Sequence, residues 1–472
     1  MNFSSKLDSN QVFTTIGEAA DRLGVECYVV GGYVRDLILD RQGKDIDFVC
    51  VGSGIALAQE VAKSLGGLRV TIFKNFGTAR IDWEGFELEF VGARKESYRE
   101  DSRKPLVEDG TLEDDQNRRD FTINAMAIGL NAENWGTLMD PFDGRTDIKK
   151  KIIRTPLAPE ITFSDDPLRM MRAIRFAAQL NFDIEAITFE AISKNASRLK
   201  IVSMERIIDE LNKIIRTSTP SYGFKLLFHS GLLKEFFPEM VELHGVENID
   251  NKGHKDNFYH TLQVLDNTAK TSDDLWLRWA AILHDIAKPA TKRFDKVHGW
   301  TFHGHEDKGA RMVPKIFRRL KLPLDERMDF VQKLVRLHLR PIALAKEIVT
   351  DAAVRRLLFE AGEDTEALML LCRADITSKN DEKVSRYLRN FDLVEERMVA
   401  VEEKDKVRSF QPPIKGDEII ELFNIPPGRV VGEIKEQIKD AILDGEIEND
   451  REQAYALMLK IAQKKGLTQI DK

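Results

Sequence analysis

Short runs in which apolar and polar residues alternate dominate the chain from Glu26 to about residue 92. Such alternation is typical of strands with one buried face. The pattern predicts five strands, with the sequences ECYVV, DIDFVCVG, LRVTIF, TARIDW and FELEFVGA. Residues 1–24 carry apolar positions near helical spacing and predict a helical lead-in. Helices between some of the strands indicate an α/β or α+β domain that ends near Arg154.

The segment from Glu96 to Asn117 has a different pattern. It is polar, carries many charges of both signs and lacks periodicity. We interpret it as a long mobile loop, and such loops inside compact domains are often functional.

After Pro159 the pattern changes to helical periodicity and stays helical to the end. SDDPLRMMRAIRFAAQLNF predicts a strong helix in which Arg169, Arg172 and Arg175 recur every third residue. Its apolar stripe consists of Leu168, Met171, Ile174, Phe176 and Ala178. We expect domain boundaries near residues 155, 250 and 390, the last followed by a Pro pair in SFQPPIKGDE.

The composition is that of a globular protein: 472 residues, 32% charged and 42% apolar, with a net charge of −7. A length like this predicts two to four domains. The acidic balance argues against a protein that coats nucleic acid through bulk charge, although local basic surfaces stay open.

The three cysteines lie far apart without a CxxC pair, so neither a disulfide framework nor a cysteine zinc site is expected. The N-terminus lacks the pattern of a secretory signal, and no apolar run approaches the roughly 18 residues of a membrane span. We therefore expect a cytoplasmic protein without a membrane partner.

A glycine pair and three carboxylates form the first group of candidate residues. Gly31 and Gly32 lie between a predicted strand and a helix, where backbone N–H groups suit a triphosphate, and Arg35 follows one turn later. If DIDFVCVG is a strand, Asp45 and Asp47 share one face and suit Mg²⁺. Glu89 would add a third carboxylate from a neighbouring strand.

Each of these features has an ordinary explanation when it occurs alone. A glycine pair is usually only a turn, and an Asp-x-Asp is usually a solvated strand end. Together and at this spacing they favour catalysis. Three carboxylates can hold two metals, one activating an RNA 3′-hydroxyl and one stabilising the pyrophosphate leaving group.

The motif around these residues resembles the signature of class II nucleotidyltransferases, the family that includes CCA-adding enzymes and bacterial poly(A) polymerases. The resemblance covers roughly the first half of the chain. It is carried in order by GGYVRDLILDRQGKDIDF, ARKESY, RRDFTINAMA, DPFDGRTDIKKKIIR, DDPLRMMRAIRFAAQL and MERIIDEL.

The resemblance implies roles for the matching residues. Gly32 and Arg35 would bind the nucleotide phosphates beside Gly31 of the same turn, Asp45 and Asp47 would bind Mg²⁺, and Glu89 would be the third catalytic carboxylate. Three residues further on, Arg119, Asp120 and Asn124, would contact the triphosphate and ribose. Arg118 would support them. Without the family context, a surface ion-pair cluster is the better explanation of residues 118–120.

A second group of residues is suited to reading a base. Asp166 and Arg169 are spaced i, i+3, and a carboxylate beside a guanidinium can mimic a Watson–Crick edge that accepts C and A. The resemblance implies this role, with Arg172 and Arg175 near the nucleotide and with movement of the 96–117 segment switching selection from C to A. The family motif begins Glu-Asp, whereas this chain has Asp165-Asp166. The alternative is an amphipathic helix with a basic solvated face.

A third group consists of histidines and aspartates in the middle of the chain. Such side chains converging from several helices suit a divalent transition metal that activates water. Their order resembles that of HD-family metal phosphohydrolases. The resemblance implies the ligands His260, His284, Asp285 and Asp375, and, as in two-metal members, His305 and His338. His254, His298 and His303 stay unassigned. The alternative to hydrolysis is a helical fold retained as an RNA-binding body.

Together the patterns predict an α+β protein: a polymerase β-like nucleotidyltransferase head with a small mixed sheet, followed by all-α neck, body, HD and tail regions. The expected domains are the head at 1–155, the RNA-binding neck at 156–250, the HD domain at 251–390 and the tail at 391–472.

The leading functional prediction is a CCA-adding tRNA nucleotidyltransferase that uses CTP and ATP, releases pyrophosphate and has tRNA as its partner. Phosphohydrolase activity of the HD region is a second expectation. The alternatives are a poly(A) polymerase, an enzyme adding only CC or only A, an HD phosphohydrolase with a non-catalytic RNA-binding head, and a structural RNA-binding protein. The three carboxylates favour a catalytic head, and the oligomeric state stays open.

Overall fold

The computed structural model describes residues 2–74, 77–99, 102–249, 252–344, 350–378, 380–405 and 413–469. The chain forms two compact units, Met1–Val241 and Glu242–Lys472. The predicted boundary near residue 250 lies close to this division. The boundaries near 155 and 390 each fall inside one unit and stay predictions.

The first unit contains both strands and helices. Its strands are β1 (Cys27–Val30), β2 (Asp45–Cys50), β3 (Val70–Phe73), β4 (Thr78–Trp83), β5 (Phe86–Gly92), β6 (Arg94–Arg99), β7 (Ser102–Asp109), β8 (Ala127–Gly129), β9 (Leu138–Met139), β10 (Ile152–Ile153) and β11 (Asp183–Ile184). Its helices are α1 (Ser4–Leu7), α2 (Gln11–Leu23), α3 (Gly32–Ile38), α4 (Gly54–Ser64), α5 (Leu112–Asn117), α6 (Gly144–Lys150), α7 (Pro159–Asp165), α8 (Leu168–Leu180), α9 (Ala186–Asn195), α10 (Met204–Ile215), α11 (Pro220–His229), α12 (Leu232–Phe236) and α13 (Pro238–Glu242). The helical lead-in and the five predicted strands are confirmed.

A seven-stranded mixed sheet in the order β3-β4-β5-β2-β1-β8-β9 organises this unit. Strands β2 and β5 run parallel, and the other neighbouring pairs run antiparallel. Phe13 of α2 packs against Phe48 of β2, whose ring stacks on Phe90 of β5 with centroids 5.0 Å apart. Because side chains alternate along a strand, burial of Ile46 and Phe48 leaves Asp45 and Asp47 exposed on the opposite face.

The segment predicted as a long mobile loop forms regular secondary structure, so the prediction is wrong for the described residues of this segment. Strands β6 and β7 form an antiparallel hairpin, and α5 follows it. Backbone hydrogen bonds pair such a ribbon, so it requires no apolar periodicity that a sequence pattern could reveal. Thr111 and Asp114 form a capping box at the start of α5, a signal that the sequence did contain.

The prediction of one continuous helix from Ser164 to Phe182 is also wrong, because the helix is interrupted at Asp166, just before Pro167. Helix α7 ends at Asp165, Asp166 is extended with φ −136° and ψ 101°, and α8 begins at Leu168. A proline disfavours the helical conformation of the residue before it. Asp166 therefore does not share a helix face with Arg169. Instead its side chain accepts the Leu168 N–H at 3.1 Å.

The second unit is built from helices with two small hairpins. Its helices are α14 (Asn257–Thr271), α15 (Leu275–Leu283), α16 (Lys288–Thr291), α17 (His305–Arg319), α18 (Glu326–Leu337), α19 (Leu339–Leu344), α20 (Asp351–Ala361), α21 (Thr365–Ala374), α22 (Asp381–Asp405), α23 (Gly416–Phe423), α24 (Arg429–Asp444) and α25 (Arg451–Lys464). The hairpins are β12 (Asn248–Ile249) with β13 (Lys252–Gly253), and β14 (Arg293–Asp295) with β15 (Gly299–Thr301).

Helices α14, α15, α18 and α21 pack together around the buried Trp279 and Phe258. Helices α23, α24 and α25 share a separate apolar cluster that includes Ile434, Ile438 and Met458. Arg356 of α20 pairs with Asp440 and Asp444 of α24 at 3.2 and 2.7 Å and joins the tail to the rest of the unit.

The three cysteines are buried and free. Across the described parts of the chain, no helix combines the length and the apolar character that crossing a membrane would require.

One close approach in the first unit leads to a test of its packing. A Cβ added at Gly17 of α2 would lie 2.2 Å from the carbonyl oxygen of Leu130. We expect Gly17→Ala to destabilise the first unit by about 1–3 kcal/mol, because backbone must shift to relieve the overlap. Differential scanning calorimetry measures the effect.

The matched control is Gly432→Ala in α24, where an added Cβ meets nothing within 4 Å. Alanine favours a helix over glycine by up to about 1 kcal/mol, so this variant should keep or raise the unfolding temperature. Equal destabilisation by both variants would contradict the packing described for Gly17.

Candidate functional site

The two central parallel strands of the first unit carry the three predicted carboxylates. The register places Asp45 opposite Glu87 and Asp47 opposite Glu89. Asp45, Asp47 and Glu89 are all exposed on the face opposite the buried Phe48. Parallel in-register pairing therefore brings Asp47 and Glu89 side by side, as the sequence pattern predicted.

An open cavity of about 560 Å³ lies at this face of the sheet. Asp47 and Glu89 are its acidic lining residues, and four arginines also line it: Arg80, Arg94, Arg118 and Arg119. The surrounding protein removes water from Asp47 and Glu89 and raises the pKa of both carboxyls. Arg119 acts in the opposite direction on the pKa of Asp47. The cavity thus combines carboxylate oxygens with guanidinium groups, which suits a metal-bound polyphosphate.

The turn between β1 and α3 lies next to these groups. Gly31 has φ +74°, a conformation that favours glycine, and its N–H donates to the carbonyl of Met126 at 3.4 Å. A Cβ at Gly31 would lie 3.0 Å from Arg119 Nη1 and 3.5 Å from Asp47 Oδ2. The backbone of Gly31 therefore forms a wall beside Asp47 and Arg119, and Gly32 lies next to Arg35.

The segment from Asp115 to Asn124 is held by buried ion pairs. Asp115, fully buried, pairs with both Arg118 and Arg119, the latter at 2.9 Å. Burial alone would raise the pKa of Asp115, but the two guanidinium groups outweigh it and lower that pKa. Asp115 was not among the predicted site residues, although its i, i+3 and i, i+4 spacing to the two arginines was a signal in the sequence.

The side chains of Asp120 and Asn124, in the same segment, are buried in the first unit rather than exposed at its surface. Asp120 pairs with Arg172 at 2.6 Å and accepts a hydrogen bond from Asn124 Nδ2 at 3.2 Å. Burial would raise the pKa of Asp120, but Arg172 and Asn124 lower it to about 2. Asn124 Oδ1 in turn accepts from Arg35 Nη1 at 2.8 Å. These contacts link α3, the 115–124 segment and α8.

The remaining arginines of α8 also have protein partners. Arg169 Nη2 donates to the carbonyl of Arg118 at 2.6 Å. Arg175 pairs with the buried Glu210 of α10 at 2.6 Å and lies over the Phe176 ring, 3.9 Å from its centroid. The alternative of a basic solvated helix face does not hold for Arg169 and Arg175, whose side chains are largely buried, whereas the side chain of Arg172 is 34% exposed beside Asp120. Glu210 is a second counter-charge that the sequence analysis missed.

In the second unit, six predicted residues converge from five helices. His260 comes from α14, His284 and Asp285 follow α15, His305 begins α17, and His338 and Asp375 follow α18 and α21. All of them are largely buried.

Asp285 lies at the centre of this cluster. Its Oδ2 is 3.4 Å from His260 Nε2 and 3.2 Å from His284 Nε2. Its Oδ1 is 3.2 Å from His305 Nε2 and 4.0 Å from His338 Nε2. Asp375 Oδ1 lies 2.9 Å from His260 Nε2, on the Oδ2 side. One carboxylate thus faces two groups of ligand atoms.

The second ring nitrogen of each histidine is already occupied. Nδ1 of His284, His305 and His338 donates to the carbonyls of Ala281, Phe302 and Val335 at 2.7, 2.8 and 2.7 Å. His260 Nδ1 bonds to Thr377 Oγ1 at 2.8 Å. Where a carbonyl accepts from Nδ1, Nε2 presents its lone pair to the centre, the arrangement of metal-binding imidazoles.

The electrostatics differ between the histidines of this cluster. Burial lowers the pKa of His338 to about 4, with His284 adding to the effect. Burial would lower the pKa of His260, but Asp285 and Asp375 outweigh it and raise that pKa to about 9. Within the described residues, the buried Nε2 of His284 makes no well-aligned hydrogen bond, although Asp285 Oδ2 lies 3.2 Å away. An inward-pointing buried imidazole nitrogen of this kind fits a metal ion.

Within the described chain, two sets of such side chains have ligand atoms that all lie within 4.8 Å of one another. They are His260 with His284 and Asp285, and His305 with His338 and Asp285. The cluster therefore fits two divalent ions that share Asp285. The three carboxylates of the first unit, Asp45, Asp47 and Glu89, do not form a set this tight.

The three unassigned histidines lie outside the cluster. His298 and His303 are exposed. His254 packs edge-on against Trp300 and Phe302, with ring centroids 5.6 and 5.7 Å away.

Three family models match consecutive parts of the chain. The Poly A polymerase head domain matches residues 27–154, a probable RNA and SrmB-binding site of polymerase A matches 181–243, and the HD domain matches 257–380. These matches confirm the predicted α+β fold class, with a polymerase head followed by helical regions that include an HD domain.

Two similar proteins match this chain over most of its length. An A-adding tRNA nucleotidyltransferase of Deinococcus radiodurans is 31% identical over 435 residues, which cover 90% of this chain and 93% of the relative. A Multifunctional CCA protein of Nitrosococcus oceani is 32% identical over 381 residues, which cover 75% of this chain and 86% of the relative.

A solved structure, that of a CCA-adding enzyme with ATP, shares the fold with a TM-score of 0.64 at 22% identity. The similarity covers 98% of this chain and 99% of that chain. The matched head domain and these two relatives show that this chain is an enzyme of the CCA-adding tRNA nucleotidyltransferase family, and the solved structure agrees in fold.

Proposed function

We propose that this enzyme adds C, C and A to the 3′ end of tRNA from CTP and ATP, with release of pyrophosphate. The observation that carries the proposal is the parallel pairing of Asp47 with Glu89 at the wall of a cavity lined by arginines. Carboxylates that hold a metal beside guanidinium groups that bind phosphate are the parts that nucleotidyl transfer requires.

Asp45, Asp47 and Glu89 are the residues that would hold Mg²⁺ in the head. Hard carboxylate oxygens on adjacent strands suit this ion, and its chemistry there is to neutralise phosphate charge and to lower the pKa of the attacking hydroxyl. Arg119 lies beside Asp47 and is positioned to bind the triphosphate. The absence of a side chain at Gly31 keeps the space next to both groups open.

Base selection is assigned to the start of α8, with the geometry corrected. Arg169 is anchored through the Arg118 carbonyl, and Asp166 lies in the extended link before α8. A guanidinium and a carboxylate on different local elements can still present a donor and an acceptor to C or A. Arg172 and Arg175 support this region through Asp120 and Glu210 rather than by direct contact with the base.

Addition of A alone is the second candidate within this activity. It is favoured by the name of the Deinococcus radiodurans relative, which is an A-adding enzyme matched over most of both chains. Poly(A) synthesis is a further outcome that the same experiment detects.

We also propose that the HD domain is a metal-dependent phosphohydrolase. Its substrates would be phosphoesters such as RNA 3′ ends that carry a 2′,3′-cyclic phosphate. The supporting observation is that Asp285 faces two groups of inward-pointing imidazoles. Divalent transition metals suit imidazole and carboxylate ligands, and their chemistry there is to generate hydroxide near neutral pH. Lys288, 2.6 Å from Asp285 Oδ2, adds a positive charge for a phosphate.

The head activity is tested with tRNA transcripts ending before the CCA, after the first C and after CC. Labelled CTP and ATP are supplied, and the products are sequenced. We expect ordered CCA addition. Addition restricted to CC-ended tRNA would identify an A-adding enzyme, and long A tails on any RNA would identify a poly(A) polymerase.

The catalytic carboxylates are tested on the same substrates. Asp47→Asn and Glu89→Gln should lower kcat by roughly 100-fold or more, because each removes a charged ligand. Glu87→Gln is the matched control: Glu87 lies on the same face of β5 but pairs with Arg80 at 2.7 Å. It should keep activity within a few-fold. Near-normal kcat in Asp47→Asn would refute the assignment.

The HD activity is tested with 2′,3′-cyclic AMP in the presence of Mn²⁺, Co²⁺ or Ni²⁺. Wild type should release a nucleoside monophosphate, and Asp285→Ala should not, because both metal groups lose their shared ligand. His298→Ala, which changes an exposed histidine outside the cluster, should leave the rate unchanged. A wild type inactive with every metal would refute the phosphohydrolase proposal.

Metal content provides an independent test. We expect wild type to bind up to two ions per chain by elemental analysis after dialysis. His338→Gln should reduce this toward one, because it removes a ligand from the His305 side only. Equal metal content in wild type, His338→Gln and Asp285→Ala would contradict a shared-carboxylate site.

A further inference from the structure

An aromatic and basic surface lies beside the histidine–aspartate cluster of the HD domain. We call it the aromatic rim and define it by His254, Trp300, Phe302, Lys288 and Lys292. Its aromatic residues come from two chain segments, the one before α14 and the end of the β14–β15 hairpin. None of these five residues is among the six that are predicted to bind metal in this domain.

The rim adjoins the cluster through direct contacts. The carbonyl of Phe302 accepts the Nδ1 hydrogen of His305 at 2.8 Å. Lys288 Nζ lies 2.6 Å from Asp285 Oδ2 and 5.7 Å from the centroid of the Phe302 ring. The ring and the central carboxylate thus share one ammonium group as a neighbour.

The aromatic groups are held in fixed positions. His254 stands at 81° to Trp300 and at 84° to Phe302, edge-on to both rings. Its Nδ1 donates to the carbonyl of Lys255 at 2.7 Å, and its Nε2 accepts from the N–H of Glu247 at 3.4 Å. Lys292 Nζ lies 4.4 Å from the centroid of the Trp300 ring. All three rings remain partly exposed.

We infer that the aromatic rim binds the base of a nucleoside phosphate whose phosphate lies at the histidine–aspartate cluster. Aromatic surfaces bind bases of any sequence because every base has a π-face. Both lysines of the rim already pair with carboxylates, Lys288 with Asp285 at 2.6 Å and Lys292 with Glu247 at 2.9 Å, so the rim contributes through its rings. The rim and cluster are adjacent, as the base and phosphate of one nucleotide are. The substrate class is therefore an RNA 3′ end or a mononucleotide, rather than a base-free phosphoester.

This inference rests on the proposed phosphohydrolase activity for its substrate. It makes one additional claim, that the base itself contributes to binding at the HD domain. Loss of base binding and loss of hydrolysis therefore give different experimental results.

Hydrolysis is compared for 2′,3′-cyclic AMP and for ribose 2,3-cyclic phosphate, which lacks the base. Trp300→Leu and Phe302→Leu should each raise KM for the nucleotide about tenfold, the range for loss of one stacked base, with kcat changed less than threefold. Neither should change KM for the base-free substrate. Trp300→Phe should restore most of the affinity.

The matched control is Trp276→Leu. Trp276 also carries a cation over its ring, with Arg327 5.4 Å from the centroid, but it belongs to α15 and lies outside the rim. Its KM should equal that of wild type for both substrates. An equal KM increase for both substrates in Trp300→Leu would overturn the base-binding role.

A binding measurement separates the inference from hydrolysis. Isothermal titration calorimetry with adenosine 3′-monophosphate uses the full chain carrying Asp47→Asn, without any other nucleotide that would compete for the aromatic rim. Trp300→Leu in that background should weaken binding about tenfold. If wild type hydrolyses nothing but shows this difference, only the phosphohydrolase proposal fails. If Trp300→Leu binds as tightly as its parent, the base-binding inference fails.

Discussion

Charge compensation among buried and half-buried arginines is the constraint on which the first unit depends. Arg35, Arg119, Arg169, Arg172 and Arg175 lie within one region of α3, the 115–124 segment and α8. Burying such charges is costly unless each is paired. Asp115, Asp120 and Glu210 supply the compensation, and each ion pair also fixes the position of one chain segment. The electropositive cavity beside Asp47 depends on this network, because it holds Arg118 and Arg119 at the cavity wall.

The second unit brings imidazoles and carboxylates together around one central aspartate. Four imidazoles and two carboxylates crowd together, and Asp285 offers one oxygen to each side. The helices α15, α18 and α21 all end at this point, so their packing brings the ligands together without a dedicated loop. In both units, chemistry is placed where secondary structure elements end or pair in register, and apolar packing behind them sets the geometry.

Much of this arrangement could be predicted from sequence, and the failures have identifiable physical causes. Alternation in DIDFVCVG was sufficient to place Asp45 and Asp47 on one face, because a period of two has only one outcome in a strand. The β6–β7 hairpin was missed because its polar sequence lacks the alternation that revealed strands β1 to β5. Pro167 was a readable signal for the break before α8 that periodicity obscured. Pairing of Arg175 with Glu210 could not be read, since it depends on how distant helices pack.

The anchoring of the HD histidines has a consequence for how the sequence can drift. Three of the four Nδ1 atoms are oriented by main-chain carbonyls, which every amino acid provides. Substitutions at Ala281, Phe302 and Val335 therefore leave the orienting acceptor in place. His260 differs, because its partner is the hydroxyl of Thr377. Among the described anchors this is the one that a single point mutation can delete, which makes Thr377 the mutationally fragile element of an otherwise robust centre.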